Sequence, residues 1–289
     1  MMAFGIFLFM ANDALGKFLV ETYSVGQVLF MRSAAALVIL IPLVQRVGFR
    51  ALIEVERPGQ QVLRSFFATA EVTAFYAAIV YLPLAATLSF WLAAPIFVAA
   101  LAPVFLGEKV GLRRWTAILI GFVGVLIVLR PSSETFSGGA PIAIFGSFAF
   151  ALMMLTTRSL RGTPDAVLVF WQTASALLAG LVLSFFAWTP LTVAGFLSLS
   201  ILGVVAMAAH LCIARAFKLA DAATIAPLQY TMLPWATLFG FMFFDEIPQW
   251  TTLLGATVII GSGLYIFFRE RQLLRRGPTI AKAALPPGG

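Results

Sequence analysis

Two residue types that build sites in many chains are almost missing here. A single cysteine, Cys212, leaves no disulfide and no thiolate metal site to be formed within the chain. A single histidine, His210, leaves no imidazole metal centre. No H-E-x-x-H or G-x-S-x-G pattern occurs and no carboxylates cluster at metal-ligand spacing, so the parts of a hydrolase or metalloenzyme are missing. The sequence calls for no cofactor and no metal. Charge is scarce too: 11% of the residues are Asp, Glu, Lys or Arg, against 61% that are hydrophobic. A soluble domain could not cover its surface with so few polar groups. The solvent expected for this chain is therefore lipid.

What is present is a near-continuous series of apolar runs. A hydrocarbon core of roughly 30 Å takes about 20 such residues per helix. The runs and their breaks predict ten transmembrane helices near 2–20, 25–45, 61–81, 84–106, 114–130, 138–158, 165–187, 192–214, 220–244 and 250–268. The breaks are plain at Arg57-Pro58-Gly59, Gly107-Glu108-Lys109, Pro131-Ser132-Ser133 and Gly162-Thr163-Pro164. The opening segment lacks a basic n-region and a small-residue cleavage pattern and carries Asn12, Asp13 and Lys17, so it reads as a retained first helix. The Pro-, Gly- and Ala-rich stretch from Gly277 to Gly289 reads as a disordered tail behind the basic segment Arg269–Arg276.

Alternating sides across ten helices puts sixteen basic residues on one side, among them Arg46, Arg57, Arg64, Arg113, Arg158 and Arg269, and only Lys17 and Arg130 on the other. The positive-inside rule then places both termini in the cytoplasm. The net charge of +7 is accounted for by basic residues facing an anionic leaflet, without nucleic acid.

The chain also aligns with itself at a shift of roughly 140 residues. Phe4–Phe9 lies over Phe145–Phe150, Phe30–Leu37 over Phe170–Leu177, Leu82–Thr87 over Leu219–Thr224, and Gly107-Glu108 over Asp245-Glu246. Four matches in one order at nearly one offset imply a duplication, and an odd number of helices per copy inverts the second copy. That is the plan of secondary transporters whose substrate site lies near the midplane between the halves. The expected units are 1–130 and 138–268, followed by a cytoplasmic tail over 269–289.

The Ala85-Ala86-Thr87 and Ala222-Ala223-Thr224 entries to the fourth and ninth helices carry a resemblance. So do the prolines that follow them, the Gly107-Glu108 and Asp245-Glu246 ends, and the glycines of the fifth and tenth helices (Gly121, Gly124; Gly255, Gly261, Gly263). In these the chain resembles the drug/metabolite transporter superfamily, specifically the EamA-type ten-helix exporters, and within them the YddG-type amino-acid exporters. The resemblance covers the chain to about Phe268 and implies an all-α integral membrane protein of the bacterial inner membrane. It implies export of small metabolites, amino acids above all, through a central cavity by alternating access, with no ATP-binding domain. A monomer suffices for such a plan, and the oligomeric state is left open. Glu108 reads as an acidic residue near the start of the next helix rather than as a ligand.

Ionisable groups inside spans are expensive unless they face protein or water. Asp13, Lys17, Arg32 and Glu71 fall in this class. Asp13 and Lys17 are spaced i,i+4 and are expected to pair on one helix face. Arg32 and Glu71 form either a structural ion pair or a substrate or proton site, with Arg32 fit to hold a carboxylate and Glu71 an ammonium group. Gln172, the repeat counterpart of Arg32, is polar as well. Tyr76, Tyr81, Trp91, Trp171 and Tyr230 are amphipathic aromatics within spans, suited either to packing or to lining a cavity. Asp13, Glu71 and His210 are the candidates for proton coupling, although a histidine bonded to a neighbouring backbone carbonyl is the plainer reading of His210. Pro95 and Pro103 in the fourth helix, with Pro227 and Pro234 in the ninth, permit bends and are candidate gates, unless packing merely accommodates them. A passive facilitator for the same solutes shares all these features and stands as the alternative to a coupled exporter.

Overall fold

The computed structural model describes the backbone over residues 1–106, 112–129, 139–160, 162–219 and 228–283. Every regular element among these residues is helical: α1 Met2–Val20, α2 Val25–Val47, α3 Arg50–Ile53, α4 Pro58–Ile79, α5 Leu84–Leu92, α6 Ala94–Leu106, α7 Leu112–Leu129, α8 Ala140–Ser159, α9 Asp165–Ser184, α10 Val193–Leu219, α11 Met232–Phe244 and α12 Trp250–Ala283. Eight segments among the described residues are long and apolar enough to cross a membrane, counting α5 and α6 as one over Leu84–Leu101. Two more are shorter apolar helices, Trp115–Val128 and Met232–Phe244. The last of these covers only part of the expected 220–244, of which 220–227 fall outside the described residues.

Local chemistry sets the ends. Ser24 caps α2, its Oγ accepting the Gln27 N–H at 3.2 Å, and Gly48 ends that helix at φ 91°, a conformation glycine adopts without strain. Pro58 opens α4, where a missing N–H is harmless. Asp245 ends α11 in the left-handed region at φ 52°. The Glu246 N–H then folds back to the Gly240 carbonyl at 3.0 Å. The expected fourth helix is broken at Ala93, whose N–H turns back to Phe90 and Trp91. Pro95 has no N–H to give the Trp91 carbonyl, so that rung of the ladder is missing.

Two expectations change. The short helix α3 lies where a loop is expected. The last helix continues to Ala283, past Gly277, where a disordered tail is expected. The Arg- and Leu-rich stretch 269–276 and the alanines at 281 and 283 are strong helix formers.

Helices of the first half pack chiefly on helices of the second: α2 on α9, α7 on α12, α4 on α8, and α1 on α10. Glycines bring two of these pairs together. A Cβ on Gly180 would lie 2.4 Å from the Phe30 nitrogen, and one on Gly255 would lie 2.7 Å from the Gly124 carbonyl oxygen, so bulkier residues would push the helices apart. The buried core includes Ile6 and Met10 of α1, Leu29 of α2, Ile79 of α4, Ile96 of α6, Ile118 of α7, and Leu199 and Leu202 of α10. Large side chains such as Phe18, Val38, Phe66, Phe145 and Phe243 stay exposed, as lipid-facing positions require.

Candidate functional site

A polar cluster sits inside the bundle where α1, α2, α4, α5 and α10 meet. Arg32 of α2 lies with its guanidinium 5.1 Å from the centre of the Tyr76 ring of α4, a cation–π contact. Among the described residues that guanidinium has no hydrogen-bond acceptor and no ion pair within 4 Å, and Arg32 is half-buried. Two devices hold it in place. A Cβ on Gly203 of α10 would lie 2.1 Å from the Arg32 carbonyl oxygen, so the glycine lets α10 press against α2 at that residue. Gly16 of α1 does the same for Tyr76, whose ring would stand 2.7 Å from a Cβ there.

Glu71 of α4 is held by Trp91, whose Nε1–H donates to Oε1 at 2.7 Å. The Trp91 indole packs edge-on against Phe75 with ring centres 5.2 Å apart and fills the space left by Gly146 of α8, where a Cβ would lie 2.4 Å from it. Glu71 therefore takes its hydrogen bond from Trp91, and no close ion pair joins it to Arg32. Asp13 of α1 is buried, and both it and Glu71 feel the Arg32 charge. Asn12 lies beside Asp13 and Tyr76, buried, with its Oδ1 unpartnered. His210 of α10 faces Phe9, ring centres 5.0 Å apart, and bonds through Nδ1 to the Ala206 carbonyl one turn back at 2.8 Å. That is the plainer of its two expected arrangements.

Lys17 does not pair with Asp13. Its ammonium forms an ion pair with Glu246, between α11 and α12, donates to the Leu82 carbonyl at 3.0 Å and lies 5.2 Å from the centre of the Phe244 ring. The Glu246 Oε2 accepts the Leu84 N–H at 3.0 Å. Lys17 pairs instead with Glu246, which the Leu84 N–H fixes within reach of the long Lys17 stem.

Of the other expected lining residues, the structure brings none into the cluster. Tyr81 is exposed beyond the end of α4, against Gly139. Trp171 is exposed and donates to the Leu52 carbonyl at 3.0 Å. Gln172 accepts from Arg64 at 3.1 Å. The Tyr230 hydroxyl sits against Gly263 of α12. Pro234 borders an apolar depression with Phe241 and Leu253 on the face of α11 and α12. Pro227 and the side chains of Pro95 and Pro103 lie outside what is described.

Sequence reasoning missed Arg64, which counts there only as a basic residue near a membrane face. It is buried and donates to Thr157 Oγ1 at 2.8 Å and the Leu168 carbonyl at 3.0 Å as well as to Gln172, tying α4 to α8 and α9. Asn12 was missed as a site residue too, though a polar amide next to Asp13 in an apolar run is a readable signal.

The model of the EamA-like transporter family matches residues 1–130 and 137–268. The chain is similar to an S-adenosylmethionine uptake transporter of Rickettsia bellii, 25% identical over 92% of this chain and 91% of the relative. It is similar to a riboflavin transporter of Vibrio cholerae, 28% identical over 88% and 86%, and to a pseudopaline exporter of Pseudomonas aeruginosa, 25% identical over 88% and 90%. A protein known from its crystal structure shares the fold at a TM-score of 0.63 and 16% identity, over 94% of this chain and 97% of that one.

Proposed function

From the premise that this chain belongs to the EamA-like transporter family, and so is a multi-pass membrane transporter of small molecules, we propose that its solutes are amphoteric metabolites of the amino-acid class. The observation that carries this reading is the Arg32 guanidinium, stacked on Tyr76 and without an acceptor among the described residues, in the field of two carboxylates. A planar donor with five N–H groups recognises a carboxylate in two-point fashion. Two acids against one base leave a negative charge to be met inside the bundle by a proton or by a cationic group on the solute. Trp91 and Tyr76 offer ring faces to an apolar or aromatic side chain.

The cycle proposed is export across the bacterial inner membrane by alternating access between two inverted five-helix units, 1–130 and 138–268, with both termini cytoplasmic. Three observations support the architecture. The family model matches twice in tandem. Helix contacts come in pairs that interchange when each helix is replaced by its partner in the other unit. The contact of α1 with α10 answers that of α4 with α8, α2 with α10 answers α4 with α9, and α1 with α11 answers α6 with α8. Bonds between helix ends join segments assigned to one side: Lys17 to Glu246 and Leu82, Gln27 to Thr189, and at the other face Arg64 to Thr157 and Trp171 to Leu52. Orientation rests on the sixteen-to-two bias of basic residues. Export rests on the YddG-type resemblance, since the relatives' names include both uptake and export.

Proteoliposomes loaded with a panel of amino acids, with and without a proton gradient, test the reading. Flux of amphoteric solutes that is lost in Arg32→Gln supports it. Unchanged flux in both Arg32→Gln and Glu71→Gln removes it. Flux that ignores the gradient favours a passive facilitator.

A further inference from the structure

We infer that Asn12 and Asp13, adjacent on α1, form the subsite for the protonated amine of the transported solute. This rests on the amphoteric reading above and goes beyond it by moving the amine from Glu71 to α1. Glu71 already receives the Trp91 N–H at 2.7 Å. Asn12 is 2% exposed and Asp13 5% exposed, and the Asn12 Oδ1 has no hydrogen-bond partner. A buried polar atom left unpaired is costly, and native proteins rarely keep one without a use. Asn12 lies in the same buried cluster as Asp13 and Tyr76, and its Oδ1 is the acceptor left there without a donor.

The result is a set of acceptors on one turn of α1 with too few donors. The Asn12 carbonyl is unpartnered, the Asp13 carboxylate beside it is buried, and Arg32 lies against the Tyr76 face with no ion pair to Asp13 or Glu71 within 4 Å. An alkylammonium brings three N–H donors and a positive charge, which satisfies both acceptors and balances the second acid of the cluster. With the solute carboxylate on Arg32, both ends of an α-amino acid are held between α1 and α2. A solute lacking the amine leaves the two acceptors unpaired, and sites built to hydrogen-bond a group reject analogues that lack it.

The test uses the full chain reconstituted in liposomes and matched pairs of probes: phenylalanine against 3-phenylpropionate, and leucine against 4-methylpentanoate. The wild type is expected to favour the amine-bearing member, and Asn12→Leu and Asp13→Asn each to cut that preference about tenfold or more. In Asn12→Leu, transport of the deaminated acid is expected to fall less than transport of the amine-bearing member. A measurement without variants guards against misfolding: the N,N,N-trimethyl derivative of phenylalanine keeps the charge but has no N–H, and the wild type should reject it. A preference that persists in both variants, or acceptance of the trimethyl probe, overturns the subsite while the amphoteric reading stands. Absence of flux for every carboxylate-bearing probe overturns the amphoteric reading and the subsite with it.

Discussion

The Lys17–Glu246 pair offers the sharpest test of the packing at the ends of the helices. Lys17→Met keeps the apolar stem and removes the ammonium, leaving the Glu246 carboxylate without its cation. Breaking one side of a buried pair costs about 3–5 kcal/mol. The side chains here are 9% and 20% exposed and Glu246 keeps the Leu84 N–H, so we expect the low end, about 3 kcal/mol. Glu246→Gln retains an acceptor for Leu84 and leaves the Lys17 ammonium on the Leu82 carbonyl, with an expected loss of about 2 kcal/mol. The double variant removes both charges, so it should be destabilised by less than the sum, with a coupling of about 2 kcal/mol. Unfolding free energies of the four proteins in one detergent close the cycle. Additive effects would show that the two groups do not meet. A cycle of Lys17→Met with Asp13→Asn supplies the contrast: coupling there, and none with Glu246, would restore the i,i+4 pairing expected from sequence and refute the arrangement described.

Other outcomes follow from the same geometry. Trp91→Phe keeps the ring against Phe75 but removes the donor to Glu71, and should lower stability by about 1–3 kcal/mol, measured by detergent unfolding, with Glu71→Gln rescuing part of the loss. Gly146→Val sets new carbon where the indole stands and should cost about 1–3 kcal/mol and shift the tryptophan emission; an unchanged spectrum contradicts that packing. Arg64→Leu leaves the Leu168 carbonyl and the Gln172 amide without their donor, and should cost about 3 kcal/mol or more, whereas Arg57→Leu, an exposed residue with one long bond of 3.4 Å to the Ser159 carbonyl, should stay within about 0.5 kcal/mol.

Helical segments were legible because hydropathy acts on whole stretches, but the effect of one proline was not: Pro42 leaves α2 continuous, whereas the expected helix over 84–106 is broken ahead of Pro95. Nor were side-chain partners. Arg32 and Gln172 occupy equivalent positions of the repeat expected from sequence, which implied equivalent roles. Gln172 is instead taken by Arg64, because α4 lies against α9 there and a buried guanidinium needs acceptors. Trp91 and Trp171 look alike in sequence, but one is enclosed by α8 at Gly146 while the other lies exposed beside α3, a helix with no counterpart among the predicted elements. A duplication copies backbones and binary pattern. It does not copy the single contacts that decide where a polar side chain is used.

That asymmetry bears on how the proposed cycle would run. Asn12, Asp13, Arg32, Glu71, Tyr76 and Trp91 all come from the first unit, on α1, α2, α4 and α5, while the second contributes His210 and the glycine that meets the Arg32 backbone. If the units rock, the charged groups keep their mutual geometry and the wall of α10 moves across them. The close approaches of Gly203 to Arg32 and of Gly5 to Ile213 are then the contacts that must slide. Gly203→Val tests this: a side chain 2.1 Å from the Arg32 carbonyl forces α10 outward, so exchange should slow in both directions while binding of phenylalanine, made by first-unit residues, falls less than tenfold. Loss of binding as large as that of Arg32→Gln would mean that α10 belongs to the binding surface itself and that the first unit does not hold the solute alone.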